Sequence, residues 1–415
     1  MTTNPGDDDM NAQSFPVFPP PRDPLHPLDP PPVLLELHRK TGISRVKTWE
    51  GVDAWIFTGY EAVRAALNDP RLSADPTRPG FPEKSAAYKQ ALGQDRNLRT
   101  MDGPEHAAQK KMLLRDFSAR RVEEMRPAIK LKIESLIDSI LANGPTFDLM
   151  KDFALPIPTM VICEMLGVPF NDREYFSEKS QVCTSSQVSA EEATAAAKEL
   201  YVYIEHLIDV KADKPENDLV SRLVFEQMKP GLLSRKDVIE MARFILIAGH
   251  ETTANMIALS TIALLLHPDQ ADLLRTTDDP ALIANAVEEL FRYLSVTHSG
   301  RRRIAVEDLE IAGQLVKAGE GVILMNSLGD RDESVFPNAD QLDLTRSNAR
   351  FHLAFGGGVH RCTGAALSKC ELELVHGSVW KRVPNLALAV PPSEIPYYAS
   401  GSVYGVRSAP MTWRR

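Results

Sequence analysis

Residues 355–364 read FGGGVHRCTG and hold one cysteine, Cys362, just ahead of a predicted helix that begins near Ala365. A thiolate at a helix N-terminus lies at the positive end of the helix dipole and near unpaired backbone N–H groups, and both lower its pKa. The three glycines before it allow the backbone to turn tightly beside the sulfur. Gly364 leaves out a side chain where a flat group can approach. These features indicate a cysteine that ligates one large cofactor.

Other readings of this stretch fit less well. A glycine-rich loop before a helix can cradle a phosphate, but the Lys-Ser/Thr pair of a phosphate-binding loop is absent here. A zinc site needs further Cys or His at short spacing, and Cys163, Cys183 and Cys370 do not provide it. A lone cysteine is most often a buried structural residue, but the surrounding glycines and histidine argue against that for Cys362.

Composition excludes several classes of function. The chain has 415 residues, of which 43% are hydrophobic and 25% are charged, as in ordinary globular proteins. Its net charge of -9 argues against nucleic acid as a partner. Four scattered cysteines form no disulfide framework and predict a cytoplasmic protein. We find neither a run of eighteen apolar residues nor a signal peptide, so we expect no membrane segment.

We expect the chain to consist of two parts. Residues 1–32 are polar and then proline-rich, which predicts a flexible arm, either a solvated tail or a lid. Residues 33–415 are expected to form one catalytic domain, because motifs spread along them must meet at one cofactor. The sequence predicts helices over Val33–Lys40, over Tyr60–Leu67 and from Asp102 to about Phe117. Amphipathic periodicity predicts five more in succession: Val122–Asn143, Phe153–Leu166, Asp172–Ser185, Ala190–Lys211 and Asp218–Met228.

The longest predicted helix has a middle that breaks local rules. Ser234 and Asp237 form a capping box at its start, and the apolar pattern then runs to His267. Residues 248–253, in the middle, read AGHETT. A glycine inside a helix costs about 1 kcal/mol relative to alanine, and a carboxylate in an apolar helix is costly unless it is paired or hydrated. Rule-breaking confined to one place suggests a functional site.

The loop around Cys362 is similar to the haem-binding loop of the haem-thiolate monooxygenases, the cytochromes P450. Four residues match the fixed positions of that family's pattern, Phe-x-x-Gly-x-x-x-Cys-x-Gly: Phe355, Gly358, Cys362 and Gly364. His360 adds the histidine of the bacterial form. The resemblance covers nearly the whole chain, from about Pro32 to Trp413.

The resemblance implies a mainly α fold with small β-sheets, in which haem b lies between the long central helix and the cysteine loop. Cys362 would be the axial ligand of the haem iron, where its electron donation favours O–O cleavage. Phe355 and Gly364 in the loop and Ala248 on the central helix would contact the haem.

The resemblance also implies which side chains bind the haem propionates. His106 and His360 match family positions, and Arg303 is identified by its Arg-x-Ala spacing. The family pattern His-x-x-x-Arg has Lys110 at its second position here. Lysine neutralises a carboxylate but cannot form the planar fork of arginine, so this contact is expected to be weaker.

The AGHETT stretch matches the family's oxygen-activating motif. Thr252 would be the hydroxyl beside the bound oxygen molecule, and Glu251 would relay protons from solvent. The alternative is a Ser/Thr motif that only bends the helix. Four residues are expected to face the substrate: Ile245, Gly249, Val296 and Thr297.

Glu289 and Arg292 stand three residues apart and therefore share one face of a predicted helix. Together with Arg346 they resemble the family's buried Glu-Arg-Arg triad. The resemblance implies a structural role for these residues, which is to hold the cysteine loop in place.

The function implied by the resemblance is insertion of one oxygen atom of O2 into a small organic substrate. Electrons would come from a ferredoxin or flavodoxin with its NAD(P)H reductase, because no GxGxxG motif follows a predicted strand. We expect a monomer. A basic cluster would dock the electron donor: Lys110, Lys111, Arg115, Arg120 and Arg121.

Two other functions stay open. Several stretches resemble the fungal nitric oxide reductase branch of the family, which takes electrons from NADH directly. That branch is similar to a version of the motif without an acid at the position of Glu251, so Glu251 favours oxygen activation. A haem-based gas sensor or carrier is the third reading, but it would leave the proton-relay motif without a use.

Overall fold

The computed structural model describes residues 15–86, 89, 96–184, 188–400 and 403–414. The fold is mainly helical with small sheets, as the sequence predicted. Its helices are α1 (Pro32–Thr41), α2 (Tyr60–Asn68), α3 (Gly103–Leu113), α4 (Ala119–Asn143), α5 (Pro156–Leu166), α6 (Arg173–Thr184), α7 (Ala190–Asp213), α8 (Leu219–Arg222), α9 (Arg235–Leu266), α10 (Pro268–Thr276), α11 (Pro280–Tyr293), α12 (Asn326–Gly329) and α13 (Ala365–Arg382).

The strands form four small sheets. A five-stranded sheet has the order β1-β2-β8-β5-β3, with β2 and β8 parallel and the other neighbours antiparallel. The remaining sheets are β6-β7, β4-β12-β9 and the hairpin β10-β11. The strands are β1 (Ile43–Lys47), β2 (Asp53–Phe57), β3 (Leu72–Ser73), β4 (Thr146–Asp148), β5 (Arg301–Ala305), β6 (Leu309–Ile311), β7 (Gln314–Val316), β8 (Gly321–Leu324), β9 (Ala387–Leu388), β10 (Tyr397–Ser400), β11 (Val403–Val406) and β12 (Pro410–Thr412).

Helix α9 is the central element of the packing. It begins with the predicted capping box, in which the Ser234 hydroxyl accepts from the N–H of Asp237 and the Asp237 carboxylate accepts from the N–H of Ser234. It ends at Leu266, because Pro268 cannot continue it. It packs against α5, α7 and the strand β11, and most of its side chains are buried. The buried polar groups of this helix, such as Glu251, therefore need hydrogen-bond partners inside the protein.

Several predicted helices differ in detail from the observed ones. Two of them contain wider π-helical turns that the periodicity did not reveal, at Met150–Ala154 and at Leu223–Met228. The helix predicted to run from Asp102 to about Phe117 ends at Leu113. No helix in the described part of the chain combines the length and the apolar character needed to span a bilayer.

The proline-rich arm packs on the domain over the residues that can be seen. Residues 1–14 lie outside the described part of the chain. From residue 15 onward the arm contacts the domain, where Phe18 is 1% exposed and its N–H donates to the carbonyl of Lys47 at 2.7 Å. The flexibility of the arm stays a prediction. Farther along, the guanidinium carbon of Arg22 lies 3.8 Å from the centre of the Tyr404 ring. The arm thereby reaches the β10-β11 hairpin.

Candidate active site

The cysteine loop, residues 355–364, is held by backbone bonds and close packing. The N–H of Cys362 donates to the carbonyl of Phe355 at 2.9 Å. Gly358 has a φ of +58°, and a Cβ added there would lie 2.5 Å from the carbonyl oxygen of Leu67. Glycine is therefore required at this position. The loop presents Cys362 to an internal cavity immediately before α13 begins.

Burial raises the pKa of the Cys362 thiol, contrary to the prediction made from its place at a helix terminus. Arg301, the N–H of Gly364 and Lys110 act in the opposite direction but do not outweigh burial. A coordinating metal ion deprotonates such a thiol outright. The thiolate form at this site is therefore expected to depend on the bound metal.

His360 is held by a carboxylate that the sequence analysis did not single out. Its Nε2 lies 3.0 Å from Oδ1 of Asp102. The other oxygen of Asp102 accepts hydrogen bonds from the Ser73 hydroxyl at 2.6 Å and the Ala74 N–H at 3.0 Å. Burial by itself would raise the pKa of Asp102, but these hydrogen bonds lower it to about 2. Asp102 is therefore ionised and orients the His360 ring.

His106 lies beside His360, with 4.4 Å between the two ring centres. Burial lowers the pKa of His106 to about 4, with further contributions from the neighbouring His360 and Lys110. The ring is therefore neutral at pH 7 and can act as a hydrogen-bond donor to an anion. Both histidines line the cavity that contains Cys362.

Lys110 makes a contact that its predicted role did not include. Its Nζ donates to the carbonyl oxygens of Val359 and Arg361, at 2.6 and 2.7 Å. These carbonyls belong to the residues on either side of His360, so the ammonium group holds the cysteine loop from α3. The side chain also lines the cavity, and the propionate contact stays a prediction.

The cavity wall at β5 carries unusual positive charge. The Arg303 side chain is buried, and its Nη1 donates to the carbonyl of Arg302 at 2.8 Å. Among the described residues no carboxylate lies within 4 Å of its guanidinium. Burial, together with the nearby Arg301, lowers the pKa of Arg303 to about 10, so it stays charged at pH 7. Further basic side chains line the same cavity, among them Lys84, Arg99 and Arg301.

Helix α9 forms another part of the cavity wall. Thr252 is partly buried, and its hydroxyl donates to the carbonyl of Ala248 at 2.8 Å. Glu251 is 7% exposed and, like Thr252, lines the cavity. Gly249 packs against Ile162, whose Cδ1 would lie 3.0 Å from an added Cβ. The four residues predicted to face the substrate line this cavity, which has a volume of about 380 Å³: Ile245, Gly249, Val296 and Thr297.

The predicted triad residues meet in the interior. Glu289 is fully buried and accepts from Arg292 at 2.7 and 2.8 Å and from Arg346 at 3.1 Å. Arg292 also donates to the carbonyls of Asp330 and Ala339. The three charged side chains thus bridge α11 to the irregular segment that precedes the cysteine loop. They do not line the cavity, as expected for a structural role.

The comparisons with known proteins agree with this geometry. A family model described as Cytochrome P450 matches residues 184–382. Cytochrome P450-SU2 of Streptomyces griseolus is 43% identical over 94% of this chain and 96% of its own length. This chain belongs to the cytochrome P450 family. Cytochrome P450 GfsF of Streptomyces halstedii is 41% identical over 97% of both chains.

Solved cytochrome P450 structures share the fold closely. The crystal structure of GfsF superposes with a TM-score of 0.90 over 96% of this chain and 100% of that chain. The mycinamicin VIII C21 methyl hydroxylase MycCI of Micromonospora griseorubida, solved with mycinamicin VIII bound, superposes with a TM-score of 0.89 at 35% identity, covering 96% of this chain and 100% of that chain. The protein is therefore a cytochrome P450 monooxygenase with a haem-thiolate cofactor.

The cavity of this P450 fits a haem. A Cβ added to Gly364 would meet no atom within 4 Å, so the space beside the loop is open to a flat group. Arg303 offers a buried positive charge to a propionate, and Cys362 offers the axial sulfur. The open space suits the flat ring of a haem, the sulfur suits its iron, and the guanidinium suits a propionate.

Three polar features of this P450 site were not predicted from the sequence. Asp102 holds His360, and Tyr398 holds Glu251. An ion pair between Glu240 and Arg243 lies in the cavity wall. Asp102 had been noted only as the start of a helix. The spacing of Glu240 and Arg243 is visible in the sequence, but nothing local marks it as facing a cavity.

Proposed function

We propose that this P450 inserts one oxygen atom of O2 into a small, largely apolar organic substrate held above haem b. The observation that carries the proposal is that Glu251 and Thr252 line the same cavity as Cys362. A carboxylate and a hydroxyl in the wall of the cavity that also holds the thiol are what oxygen activation requires. Nitric oxide reduction and gas sensing do not need both groups.

The residues divide the chemistry between them. When bound, the haem supplies the site of oxygen activation, and its thiolate ligand favours O–O cleavage. The Thr252 hydroxyl donates to the Ala248 carbonyl, so its oxygen is left to accept hydrogen bonds from the cavity. Glu251 takes a proton from solvent on its carboxylate and passes it toward that hydroxyl. His106, Arg303 and His360 bind the propionates.

The substrate is held by an apolar wall. Apolar side chains line the cavity, both on α9 and on other segments: Phe244, Ile245, Ile247, Val296 and Val403. Burial of apolar surface contributes about 25 cal/mol per Å² to binding. The name of the similar MycCI enzyme supports hydroxylation as the reaction type. The chain's own substrate is therefore expected to be a mostly apolar natural product or a comparable small molecule.

We place the electron donor on the surface next to the cysteine loop. Lys111 and Arg115 are exposed there, and Val359 is 62% exposed. Arg115 pairs with Glu226 at 3.3 Å, but an exposed pair of this kind is worth at most about 1 kcal/mol. An acidic ferredoxin or flavodoxin with its NAD(P)H reductase suits this surface.

Residues 33–415 are proposed to act as one catalytic domain, because β5, α9 and the cysteine loop all contribute to one cavity. The four cysteines are free thiols, and a reducing compartment keeps thiols in this state. We therefore propose a cytoplasmic location.

The deciding experiment measures NADH consumption by the haem-loaded protein with no added redox protein, under nitric oxide without oxygen and separately under oxygen. We expect no consumption under either gas until a ferredoxin and its reductase are added under oxygen. Rapid NADH consumption under nitric oxide alone would establish nitric oxide reduction in place of monooxygenation. No turnover with any electron source would favour a gas sensor or carrier.

The docking surface is tested by charge reversal. Lys111→Glu with Arg115→Glu should slow electron transfer from the ferredoxin and flatten its dependence on salt concentration. The matched control is Arg39→Glu on α1, which is exposed and lies on a different element. Equal rates and equal salt dependence in all three proteins would remove the docking surface from the proposal.

A further inference from the structure

Tyr398 on the strand β10 is bonded to the acid of the proposed proton relay. Its hydroxyl donates to Oε1 of Glu251 at 3.0 Å and accepts from Nδ2 of Asn255 at 2.9 Å. Nδ2 of Asn255 also donates to the backbone carbonyl of Glu251 at 2.9 Å. One phenol and one amide therefore fix both the side chain and the backbone of Glu251.

The hairpin β10-β11 packs closely against α9 at Asn255. The Asn255 Oδ1 accepts from the N–H of Val406 at 3.1 Å. Gly405 is paired with Tyr398 across the hairpin, and a Cβ added to it would lie 1.7 Å from Oδ1 of Asn255. The hairpin can approach α9 this closely only because residue 405 is glycine. This approach brings Tyr398 within reach of Glu251.

The phenol can act only as a donor to Glu251. Burial raises the pKa of Tyr398, and the negative charge of Glu251 raises it further. The guanidinium carbon of Arg407 lies 5.2 Å from the centre of the Tyr398 ring and lowers the pKa, but burial outweighs it. The phenol is thus protonated near pH 7, and its bond to a carboxylate is charge-assisted.

We infer that Tyr398 is a positioning residue for the proton relay. Its hydrogen bond restricts Glu251 to one rotamer beside Thr252 and thereby sets the rate at which the carboxylate delivers a proton. The phenol keeps its own proton throughout, and only Glu251 gains and loses one. This inference rests on the proposed role of Glu251.

The neighbouring tyrosine provides a matched control. Tyr397 precedes Tyr398 in the same strand, and its ring stacks on Tyr404 at 6.1 Å between centres. Its hydroxyl is buried and has no hydrogen-bond partner among the described residues. Tyr397→Phe therefore removes a hydroxyl from the same hairpin without touching the relay.

The contact itself is tested without turnover. In haem-loaded protein carrying tyrosine labelled with carbon-13 at Cζ, the Tyr398 resonance is identified by its loss in Tyr398→Phe. Glu251→Gln should shift this resonance, because the hydrogen-bond acceptor loses its charge. It should stay in place in Tyr397→Phe. A Tyr398 resonance that does not respond to Glu251→Gln would overturn the inference.

The effect on the relay is measured with O2, a plant-type ferredoxin, its reductase and NADPH, without added substrate. Tyr398→Phe should increase the peroxide formed per NADPH several-fold and enlarge the solvent deuterium isotope effect. The protonation step should slow roughly tenfold, because a hydrogen bond to a charged group is lost. Tyr397→Phe should match the wild type. Equal changes in both variants would mean that the hairpin acts only through its packing.

Glu251→Gln distinguishes the relay role of Glu251 from the positioning role of Tyr398. If this variant changes the peroxide yield and Tyr398→Phe does not, the relay stands and the positioning role of Tyr398 falls. If Glu251→Gln has no effect on peroxide yield or isotope effect, the relay role of Glu251 itself is wrong and the inference falls with it.

An independent observation concerns the wall of the cavity farther along α9. The Arg243 Nη2 lies 2.6 Å from Oε2 of Glu240, and the two side chains are only 6% and 14% exposed. Both line the cavity, where their neighbours include Phe117, Phe244 and Ile247. A buried ion pair is seldom worth more than an apolar pair of the same size. Its presence in an apolar wall therefore suggests that the pair binds a polar group of the substrate.

The geometry points to a neutral hydroxyl group on the substrate as the ligand of this pair. A hydroxyl accepts from the guanidinium and donates to the carboxylate at the same time. The pair has no net charge. A substrate carboxylate would therefore be repelled by Glu240, and a substrate ammonium group would be repelled by Arg243. Arg243 precedes Thr252 by nine residues, a rise of about 13.5 Å along the helix. The hydroxyl would thus lie that far from the oxidised end.

Three probes of one chain length test this assignment: dodecan-1-ol, its methyl ether and dodecanoate. Binding is followed by the haem spin-state shift, which needs no turnover and is therefore independent of the proposed reaction. The alcohol should bind roughly tenfold more tightly than the ether, as expected for one hydrogen bond to a charged group. The double variant Arg243→Met with Glu240→Gln, which removes both charges of the pair, should lose this preference.

The assignment is wrong if the alcohol and the ether bind equally to the wild type or if the preference persists in the double variant. It is also wrong if dodecanoate binds more tightly than the alcohol. Absence of a spin-state shift with all three probes would count against a hydroxyl site of this length as well. Tighter binding of dodecanoate would identify Arg243 as an anion site.

Discussion

The ammonium group of Lys110 lies 2.6 Å from the carbonyl oxygen of Val359, three residues before Cys362. A second bond of 2.7 Å reaches the carbonyl of Arg361. Where an arginine would present a planar fork to a carboxylate, this lysine holds the backbone of the cysteine loop. Helix α3 is thereby connected directly to the loop that carries the thiolate.

Lys110→Met should therefore loosen the cysteine loop. Two charge-assisted bonds are lost, each worth on the order of 1 kcal/mol at a partly exposed site. We expect haem to be lost to apomyoglobin about tenfold faster than from the wild type. Lys111→Met is the matched control, since Lys111 is the exposed neighbour in the same helix. Identical haem-loss rates in the two variants would show that the loop does not need Lys110.

Cys362→Ser should abolish the carbon monoxide difference band that is characteristic of a thiolate-ligated haem, while the far-UV circular dichroism stays unchanged. The serine hydroxyl does not supply the same axial donor. Cys370→Ser is the control, because burial raises the pKa of that thiol to about 12 and it does not line the cavity. Retention of the band in Cys362→Ser, or its loss in Cys370→Ser, would contradict the ligand assignment.

Glu289→Gln should destabilise the protein severely. It leaves Arg292 and Arg346 buried without a countercharge, and breaking a buried pair in this way costs about 3–5 kcal/mol. The free energy of unfolding in urea and the haem content of purified protein should both fall. Glu288→Gln is the control, since Glu288 bonds to His352 and Lys369 at a more exposed position. A loss no larger than that of Glu288→Gln would refute the buried-triad argument.

Thr252→Ala should divert electrons to peroxide with little change in substrate affinity. The hydroxyl beside the oxygen site is lost, and the helix keeps its backbone bonds. Thr261→Ala is the control, because Thr261 donates to Ile257 at 2.8 Å just as Thr252 donates to Ala248. The ratio of product to NADPH consumed is measured for both. Unchanged coupling in Thr252→Ala would return its hydroxyl to a purely helix-bending role.

His376 should make the protein sensitive to mild acid. It is fully buried between the Ser260 hydroxyl and the Trp380 indole, and burial lowers its pKa to about 3. The unfolded chain, with a histidine pKa near 6.5, then binds the proton more tightly than the folded protein. The stability associated with this group is therefore complete above pH 6.5 and is lost as the pH falls toward 3.

The measurement is the urea midpoint between about pH 7 and pH 5. His376→Gln should flatten the decrease of stability over this interval by at most about 2 kcal/mol, whatever its effect at pH 7. His106 and His250 have pKa values lowered to about 4, so part of the slope should remain. An unchanged slope would mean that His376 takes up no proton on unfolding.

Sequence reasoning recovered those features that depend on neighbours along the chain. The capping box at Ser234 and the span of α9 follow from residues three or four positions apart. The π-helical turns escaped it, because a wider turn leaves no distinct spacing of apolar residues. The burial of Phe18 was not predicted either, since its partners lie on the distant sheet.

The sequence by itself determined the family and predicted an axial cysteine and an acid-hydroxyl pair, because each is encoded in a short run of residue types. Only the tertiary structure decided what those residues touch. Tyr398 reaches Glu251 across 147 positions, and His360 reaches Asp102 across 258. Such contacts depend on how a hairpin packs on a helix, and no local spacing encodes that packing. Burial likewise reversed the expected pKa shift of Cys362, because desolvation depends on the whole fold.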